Sequence, residues 1–518
     1  MGWRFVLSNE KEGKMKFNFK MSKAKQTVNY EGEKAFVLTP QLELYTAVAT
    51  AGLSDQFYEK GVDKIDRLRK LIAVNDKEFV AKLAVYVREK MYLRSVPLVM
   101  TVELAKQASG ESIVSKLANR VVQRADEIAE LLAYYALANE RKDVKKLNKL
   151  SKQLQKGLAE AFNKFDEYQF AKYNRDAAVK LKDALFLVHP KAKDEAQQAL
   201  FDKIVKDELA VPYTWEVELS VLGQQKFDTK ELKQEAVRAK WEELIFSNKL
   251  GYMATLRNLR NILEAEVSKE ALNKVCEYLG DAKAVAKSKQ LPFRFLAAYR
   301  ELKQLNNGRA GKVLDALEQA VLQSAANIAG YDEKTKVVIA ADVSGSMQTA
   351  ISAKSKIMNY DIGLMLGMLL QSRCENVVTG MFGDKWKMIS VPKKNILSNV
   401  QEFYRREGEV GYSTNGYLVV KDLLQKNKVV DKIMLFTDCQ LWNSQGNESI
   451  AGLWKEYKKI APNAKLYLFD LAGHGNTPLN VQRDDVFLIA GWSDKIFDVL
   501  KAIEEGSNAI KMIEAIEL

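Results

Sequence analysis

The sequence has few of the residues on which several kinds of chemistry depend. Its three cysteines, Cys276, Cys374 and Cys439, lie far apart, so they predict neither a disulfide framework nor a zinc knuckle and are typical of a reducing compartment. With only two histidines, His189 and His474, a His-rich metal site is excluded and a Ser-His-Asp triad has few candidates. Because no carboxylate cluster or histidine pair suits phosphoryl transfer, we expect a protein that is not an enzyme.

Long apolar runs are also missing from the sequence. The longest candidate, Ile362 to Leu370, is about half as long as the roughly 20 residues that a membrane span needs. The N-terminus has no apolar segment of the kind found in secretory signals. We therefore expect a cytoplasmic protein that does not enter a membrane.

At 518 residues the chain is too long for one hydrophobic core, so at least two domains are expected.

Positive charge is concentrated in the N-terminal part of the chain. Residues 1–330 contain 56 Lys and Arg against 44 Asp and Glu, whereas the remainder contains 23 of each, so the whole net charge of +12 lies before residue 331. An excess of positive charge on one domain indicates a polyanionic partner. The alternative is a soluble protein that is generally basic and has no such partner.

The pattern of apolar residues changes near Gly330. Before it, apolar residues recur at intervals of three and four, as at Val80, Leu83 and Val87, which predicts successive helices in a helical-pair solenoid or a large bundle. After it, short β-rich runs alternate with amphipathic helices, which predicts a doubly wound, mainly parallel sheet. The predicted strands are Val337–Ala341, Asn376–Phe382, Lys387–Val391, Lys432–Phe436, Lys465–Phe469 and Val486–Ala490.

Oxygen-bearing side chains follow the strands of this second part. The first strand runs into DVSGSM, which contains Asp342, Ser344 and Ser346; Thr414 lies in the polar loop GYSTN, and Asp438 ends the strand KIMLFTD. Ligands of open α/β sheets bind at the carboxyl ends of the strands, where these residues lie. Carboxylates and hydroxyls are hard donors, so they predict a site for Mg²⁺ or another divalent hard cation, with an open position for an acidic ligand.

The motif DVSGS has two other interpretations. DVSGS by itself is equally typical of a helix N-cap with a turn glycine. A phosphatase would need a second acidic residue two positions after Asp342, where Ser344 stands. The threonine and the second aspartate, in the right order along the chain, favour the metal site over both.

Two segments of the helical part carry residues suited to RNA. A helix predicted over 139–157 presents a row of lysines on one face, although such a face is also typical of an ordinary solvated helix. We predict that Lys142, Lys146 and Lys149 of this row bind RNA. The next segment, NKFDEYQFAKYNR, mixes aromatic rings with Lys172 and Arg175; bases stack on such rings while cations neutralise phosphates, although some of the rings are expected to be core.

These motifs carry a resemblance to known families. The C-terminal part resembles a von Willebrand A domain with its metal-ion-dependent adhesion site. The N-terminal part resembles the Ro autoantigen family of TROVE-domain proteins. The similar segments are TVNYEGEKAF, FAKYNRDAAVKLKDALFLVHPKA, KLGYMATLRNLRNI and LPFRFLAAYRELK. Their order, followed by an A domain, covers nearly the whole chain.

The resemblance implies a ring of helices closed by the A domain. Family members hold single-stranded RNA 3′ ends in the central hole and small structured Y RNAs on the outer surface, in noncoding-RNA quality control or as tethers to RNA-processing nucleases. Lys172, Tyr173, Arg175 and His189 fall in the family's RNA-contacting stretch. By its neighbourhood alone, His189 beside Pro190 is more typical of an ordinary loop residue.

We therefore predict an all-α, HEAT-like helical-repeat ring over residues 17–330, followed by an α/β doubly wound von Willebrand A domain over residues 331–518. The first functional hypothesis is a monomeric RNA-binding scaffold of a small ribonucleoprotein, which binds Y-like RNA and the 3′ ends of misfolded RNAs and works with an RNA-processing nuclease. The second is a metal-dependent adaptor, in which an acidic protein ligand completes the coordination of the cation held by Asp342.

Overall fold

The computed structural model describes residues 25–50, 60–140, 150–174, 177–352, 355–442 and 449–518. An antiparallel hairpin of β1 (Gln26–Val28) and β2 (Lys34–Val37) precedes the helical domain. The helices of this domain are α1 (Pro40–Ala49), α2 (Gly61–Val74), α3 (Lys77–Glu89), α4 (Ser95–Gln107), α5 (Ser112–Val121), α6 (Ala125–Ala138), α7 (Lys152–Phe162), α8 (Glu167–Tyr173), α9 (Leu181–Val188), α10 (Glu195–Lys206), α11 (Trp215–Gly223), α12 (Lys230–Phe246), α13 (Tyr252–Arg257), α14 (Leu259–Glu264), α15 (Lys269–Gly280), α16 (Ala282–Ser288), α17 (Phe293–Lys303) and α18 (Ala310–Ser324). Over the ranges described, no helix is both long enough and apolar enough to cross a membrane.

Helix α3 shows how local sequence determines these elements. Its start is fixed by Asp76, whose carboxylate accepts a hydrogen bond from the Phe79 N–H at 3.0 Å and so satisfies one of the amide groups left without a partner at a helix start. The predicted spacing is confirmed, because Val80, Leu83 and Val87 are completely buried. The helix packs on α4 and α5. It is stabilised by burying one face against its neighbours in the array.

The second domain is built on a six-stranded sheet. Its strands and helices are β3 (Tyr331–Asp342), α19 (Asn359–Gln371), β4 (Cys374–Phe382), β5 (Trp386–Met388), α20 (Ile396–Arg406), α21 (Tyr417–Gln425), β6 (Lys432–Thr437), α22 (Ile450–Ile460), β7 (Lys465–Asp470), β8 (Asn476–Thr477), β9 (Val486–Ala490), α23 (Ile496–Glu504) and α24 (Ala509–Glu514). The strand order is β5-β4-β3-β6-β7-β9, and every pairing is parallel except that of β5 with β4. The predicted doubly wound α/β domain is therefore confirmed.

Helices cover both faces of this sheet, and the central strand shows why. Along β3, Ile339 and Ala341 belong to the apolar core that contains α19, whereas Val338 and Ala340 belong to a second core with α21 and α22. Because side chains alternate between the two faces of a strand, a strand buried on both sides has a continuous apolar sequence. This explains why the run VVIAA reads as a buried strand.

Two details of the sheet differ from the sequence prediction. The strand predicted over Lys387–Val391 is shorter and lies at the edge of the sheet as β5, in antiparallel pairing. The short strand β8 was missed, because two residues carry no period-two pattern. It does not join the main sheet but pairs with β2 of the N-terminal hairpin.

The helix predicted over residues 139–157 is wrong at its start. Helix α6 ends at Ala138, and Glu140 has a φ of 54°, which a continuing helix excludes. Helix α7 begins only at Lys152, where the hydroxyl of Ser151 accepts a hydrogen bond from the Leu154 N–H. The sequence did not indicate this interruption, because lysines and leucines continue at helical spacing across it. Lys142, Lys146 and Lys149 lie outside the described residues.

The N-terminal end of the helical domain packs on this second domain, the predicted A domain. Strand β2 pairs with β8, and the hydroxyl of Tyr45 on α1 donates to the carbonyl of Ala490 at 3.1 Å. The Arg67 guanidinium donates to the carbonyl of Gly473 at 2.7 Å. Gly473 has a φ of +67°, and a Cβ atom there would lie 2.4 Å from the hydroxyl of Thr50, so the close approach requires glycine.

The other end of the helical domain also packs on the A domain. Helices α17 and α18 contact α19 and α20. Glu318 on α18 accepts hydrogen bonds from the N–H groups of Leu397 and Ser398, at 3.0 and 2.7 Å, and so caps the start of α20. Arg300 on α17 forms a bidentate pair with Asp361 on α19, at 2.7 and 2.6 Å. Both ends of the array therefore meet one domain, which closes the chain into a ring.

Loss of the Arg300 side chain should weaken this closure. Asp361 is completely buried, so Arg300→Ala leaves a carboxylate without its counter-charge, at an expected cost of about 3–5 kcal/mol in the free energy of unfolding. Urea unfolding of the full chain measures the effect. Arg405→Ala is the matched control, because the pair of Arg405 with Glu402 is exposed and its loss should cost less than about 1 kcal/mol. Equal losses in the two variants would contradict the assigned role of Arg300.

Candidate functional site

The five predicted metal ligands converge at one end of the sheet. Asp342 is the last residue of β3, and Asp438 follows β6, the neighbouring parallel strand. Ser344 and Ser346 lie in the loop after β3, which ends in a short 3₁₀ turn, Ser346–Gln348. Thr414 lies in the loop before α21. All five side chains are nearly inaccessible, with exposed fractions between 0 and 5 %.

Hydrogen bonds hold the two carboxylates in place. Asp342 accepts from the Ser344 N–H at 3.0 Å and from the hydroxyl of Thr437 at 2.7 Å. Asp438 accepts from the Gln440 N–H at 2.9 Å. These bonds leave part of the acceptor capacity of both carboxylates free, since each can accept about four hydrogen bonds.

The hydroxyl groups complete the cluster. The Ser344 and Ser346 hydroxyl oxygens lie 3.3 Å apart, so one loop turn presents two oxygen donors side by side. The hydroxyl of Thr414 accepts a hydrogen bond from the Trp442 N–H at 2.8 Å, which ties its loop to the segment that follows Asp438. Three separate loops are thereby held together around the two carboxylates.

Negative charge is concentrated in the cluster, and burial raises the pKa of both carboxylates. Burial, followed by the negative charge of Asp438, raises the pKa of Asp342 well above its usual range. Burial also raises the pKa of Asp438, against the opposing effect of its hydrogen bond from Ser346. Within the described residues, no lysine or arginine forms an ion pair with either carboxylate. A divalent cation would neutralise this buried charge.

The chemistry of the donors fits the predicted ion. Two carboxylates with three hydroxyls form a hard oxygen set, which suits Mg²⁺ with one or more waters rather than a thiophilic metal. In the part of the chain that the structure describes, no three His, Cys, Asp or Glu side chains are grouped to hold a metal, so hydroxyls are needed beside the two carboxylates.

The sequence did not indicate the roles of Thr437 and Gln440. Both position the carboxylates, but neither belongs to a recognisable motif.

The predicted RNA-binding residues that the structure describes are Lys172 and Tyr173 on α8 and His189 at the end of α9. Lys172 is exposed on α8, where its ammonium lies 5.6 Å from the ring centroid of Tyr168. Tyr173 is half-buried, and one face of its ring is covered by the Arg124 guanidinium at 4.2 Å. Arg175 lies outside the described residues.

His189 caps the end of α9. Its backbone has a φ of 52° and its N–H donates to the carbonyl of Leu185 at 2.9 Å, which terminates the helix before Pro190. The imidazole is exposed. Helices α8 and α9 both pack on α6, so Lys172 and His189 belong to one layer of the array.

Two exposed rings of the same layer were not among the predicted site residues. Tyr168 on α8 and Phe186 on α9 have exposed fractions of 45 % and 50 %. Exposed rings beside cations are the platforms on which unpaired bases stack. The aromatic content of the segment gave a signal for Tyr168, but only the structure separates it from Phe165 and Phe170, which are buried.

A closed helical ring that carries an A domain with an adhesion-type metal motif defines the class of the protein. The TROVE domain profile matches residues 17–240 and 206–357, and the profile of the Ro60 vWA domain matches residues 336–503. The chain belongs to the TROVE family. Membership places it among the RNA-binding scaffolds of ribonucleoproteins.

Comparisons with individual proteins give low sequence identities or short matches. The crystal structure of the Deinococcus radiodurans RO (RSR) protein is similar in fold, with a TM-score of 0.58 and 17% identity, over 90% of this chain and 100% of that one. Telomerase protein component 1 of Rattus norvegicus is 24% identical over 312 residues, which is 45% of this chain and 11% of the relative. The protein of that name from Mus musculus is 39% identical over 94 residues, which is 18% of this chain and 3% of the relative. The chain therefore spans only a small part of these two relatives.

The buried carboxylates predict that cation binding depends on pH. Their raised pKa values mean that the folded, metal-free protein binds protons that the unfolded chain has released, so its stability should fall as the pH rises through those values. Mg²⁺ should offset this loss, and the rise in melting temperature that it produces should be larger at about pH 8 than at about pH 5.5. Differential scanning fluorimetry measures both effects. Asp342→Asn should abolish the Mg²⁺ effect, and a shift of equal size in that variant would exclude this site.

Proposed function

We propose that this chain is a noncatalytic, monomeric RNA-binding scaffold of a small cytoplasmic ribonucleoprotein. It binds Y-like noncoding RNA and the single-stranded 3′ ends of misfolded RNAs, and it presents them to an RNA-processing nuclease. Membership of the TROVE family is the observation that carries the proposal. The excess of positive charge in residues 1–330 supports it, because a protein that neutralises phosphates needs such a surface.

The layer formed by α6, α8 and α9 is the proposed contact surface for RNA. Lys172 supplies a cation beside the exposed ring of Tyr168, and His189 supplies an exposed imidazole on the adjacent helix. Phosphate contacts from Lys172 would provide affinity without sequence preference, whereas stacking on Tyr168 requires an unpaired base. This combination favours single-stranded segments and loops over a continuous duplex.

Closure of the ring supports a preference for free RNA ends. Contacts at both ends of the helical domain join it to the A domain through Arg300 and through the pairing of β2 with β8. A strand can enter a closed ring only by its end, whereas an internal segment would require the ring to open. The ring would thereby select free RNA ends over internal segments by topology, without reading their sequence.

Binding of a structured RNA with a single-stranded 3′ tail, compared with the same RNA without the tail, tests this function. The tailed RNA should bind more tightly, and log K should fall with log salt at a slope of about 0.7 for each neutralised phosphate. The double variant Lys172→Ala with His189→Ala should lose roughly tenfold or more in affinity, the size expected for one stacking or phosphate contact together with its neighbour. Fluorescence anisotropy at two salt concentrations measures all of these values.

The matched control for this experiment is Lys459→Ala. Lys459 is a lysine on α22 of the A domain, in an exposed pair with Glu456, so its loss should leave RNA affinity unchanged. A flat salt response, no tail preference and equal affinities of all variants would contradict the RNA-end scaffold.

A second candidate function is a metal-dependent protein adaptor. The observation that favours it is the pair of buried carboxylates, Asp342 and Asp438, which are held without a cationic partner among the described residues. An acidic side chain of another protein would complete the coordination of a bound Mg²⁺.

The two functions respond differently to one substitution. Asp342→Ala should abolish Mg²⁺-dependent capture of an acidic partner, because it removes a ligand of the cation, and it should leave RNA affinity within about twofold. Pull-down of a candidate nuclease and RNA binding, measured on the same preparation, separate the outcomes. A parallel loss of both activities would show instead that the metal site supports the ring.

A further inference from the structure

A groove of about 460 Å³ lies between α11, α12 and α14 of the helical domain. Leu219 and Leu222 of α11 line it together with Val237 and Trp241 of α12. Trp241 is buried and stacks on Trp215, with 6.3 Å between the ring centroids, whereas Leu219 and Val237 are only half-buried. Apolar surface therefore stays in contact with solvent between these helices.

Helix α11 has more apolar side chains than the described part of the array covers. Only Leu222 is buried among its five large apolar residues, which are Trp215, Val217, Leu219, Val221 and Leu222. Val221 is exposed, and so is Leu232 on α12. Single apolar residues at a surface are ordinary, but apolar surface gathered in and around one groove marks an interaction site.

The rim of the groove carries free positive charge. Lys230 and Lys233 line it, and both are exposed. Over the residues that the structure describes, neither lysine forms an ion pair or a hydrogen bond. Glu264 also lines the groove, but its carboxylate is paired with Arg260 at 2.8 Å. The charge that remains free for a ligand is therefore positive, and it favours an acidic ligand.

The shape of the groove favours a helix as the ligand. The residues of α12 that line it include positions 230, 233, 237 and 241, which recur at intervals of three and four along one face. They extend over about 16 Å, which is the length of roughly three helical turns. An apolar strip of this length with charge at its rim is typical of the grooves that bind amphipathic helices.

Two other ligands fit the groove less well. Unpaired bases stack on exposed rings, but the aromatic ring that lines this groove, that of Trp241, is buried. A second copy of the chain would bring a domain with a net charge of +12 against the two lysines.

We propose that the groove between α11, α12 and α14 is a docking surface for an acidic amphipathic helix of a partner protein. Apolar side chains of the partner helix insert between Leu219 and Val237, and its carboxylates pair with Lys230 and Lys233. The surface lies on other helices than the layer of α6, α8 and α9, and it belongs to a different domain from the oxygen cluster. The proposal therefore goes beyond the RNA scaffold and depends on neither RNA nor a metal ion.

Binding of a designed peptide to the full chain tests this surface. The probe is a fluorescein-labelled peptide of about 14 residues, with leucines at i, i+3 and i+7 flanked by glutamates. A hydrocarbon staple on its opposite face keeps it helical, because isolated helices of this length are marginal in water. Fluorescence anisotropy should show roughly tenfold tighter binding of this peptide than of two others. One has lysine in place of each glutamate, and the other has the same composition in an order that breaks the leucine stripe.

Reversing the charge of the rim locates the binding site. Lys230→Glu with Lys233→Glu should weaken binding of the acidic peptide roughly tenfold, since two attractive pairs become repulsive, and should strengthen binding of the lysine peptide. The matched control is Lys283→Glu with Lys287→Glu on α16, two exposed lysines whose reversal changes the net charge equally and should leave both affinities unchanged. Circular dichroism confirms that both variants are folded.

Several results would overturn the proposal. Equal affinities for the three peptides, absence of binding, or equal effects of the two double variants would leave the groove an ordinary surface. Displacement of the peptide by single-stranded RNA, with loss of RNA affinity on rim reversal, would make it an RNA contact instead. A dimer of the unmodified chain that is lost on rim reversal, measured by sedimentation, would make it a contact between copies. RNA affinity of the unmodified chain shows separately whether the scaffold function holds.

Discussion

A bidentate ion pair between Arg300 and Asp361 joins the last helices of the ring to the A domain, and the closed architecture depends on it. Asp361 also accepts a hydrogen bond from the Met358 N–H at 2.9 Å, so the same carboxylate fixes the start of α19. A completely buried carboxylate is tolerated only with such partners, because desolvation without them costs several kcal/mol. The other end of the ring is held by the pairing of β2 with β8 and by hydrogen bonds from Tyr45 and Arg67 to backbone carbonyls of the A domain. Because only the first of these two contacts contains a buried ion pair, salt and pH should affect the two ends of the ring unequally.

Closure into a ring covers the apolar surface at both ends of the helical domain. Each helix buries one face against its neighbours, and an open array of this kind would leave unpaired apolar surface at both of its ends. Here the A domain covers both ends, as shown by Glu318 capping α20 and by Tyr45 bonded to Ala490. The A domain is therefore a structural part of the ring as well as the domain that carries the proposed metal site. A structural change in the ring can therefore affect the proposed metal site, and the reverse, through the contacts of Glu318 and Tyr45.

Much of the fold could be predicted from the sequence, because the spacing of apolar residues along the chain indicates which side chains are buried. The spacing of Val80, Leu83 and Val87 and the apolar run of β3 each correspond to a buried face in the structure. The clustering of the oxygen-bearing side chains was predictable because Asp342 and Asp438 stand at the ends of β3 and β6, two parallel strands whose carboxyl ends meet at one edge of the sheet. The break between α6 and α7 was not, since the regular spacing of lysines continues across it. Nor could the sequence place Tyr30 and Asn29 beside Gln440, because that contact joins residues about four hundred positions apart.

The position of the hairpin connects the two proposed activities. The strand that follows its turn, β2, pairs with β8 and so contributes to closure of the ring, while the turn itself lies over the segment after Asp438. A ligand that displaced the turn from this segment would have to break the hydrogen bonds of Asn29 and Tyr30, and so it would weaken the contact between the hairpin and the A domain. A cation bound at the proposed metal site would have the opposite effect, because its binding free energy would add to the stability of the folded form that holds this segment in place. One short turn therefore contacts both the segment beside the proposed metal site and the strand pairing that closes the ring.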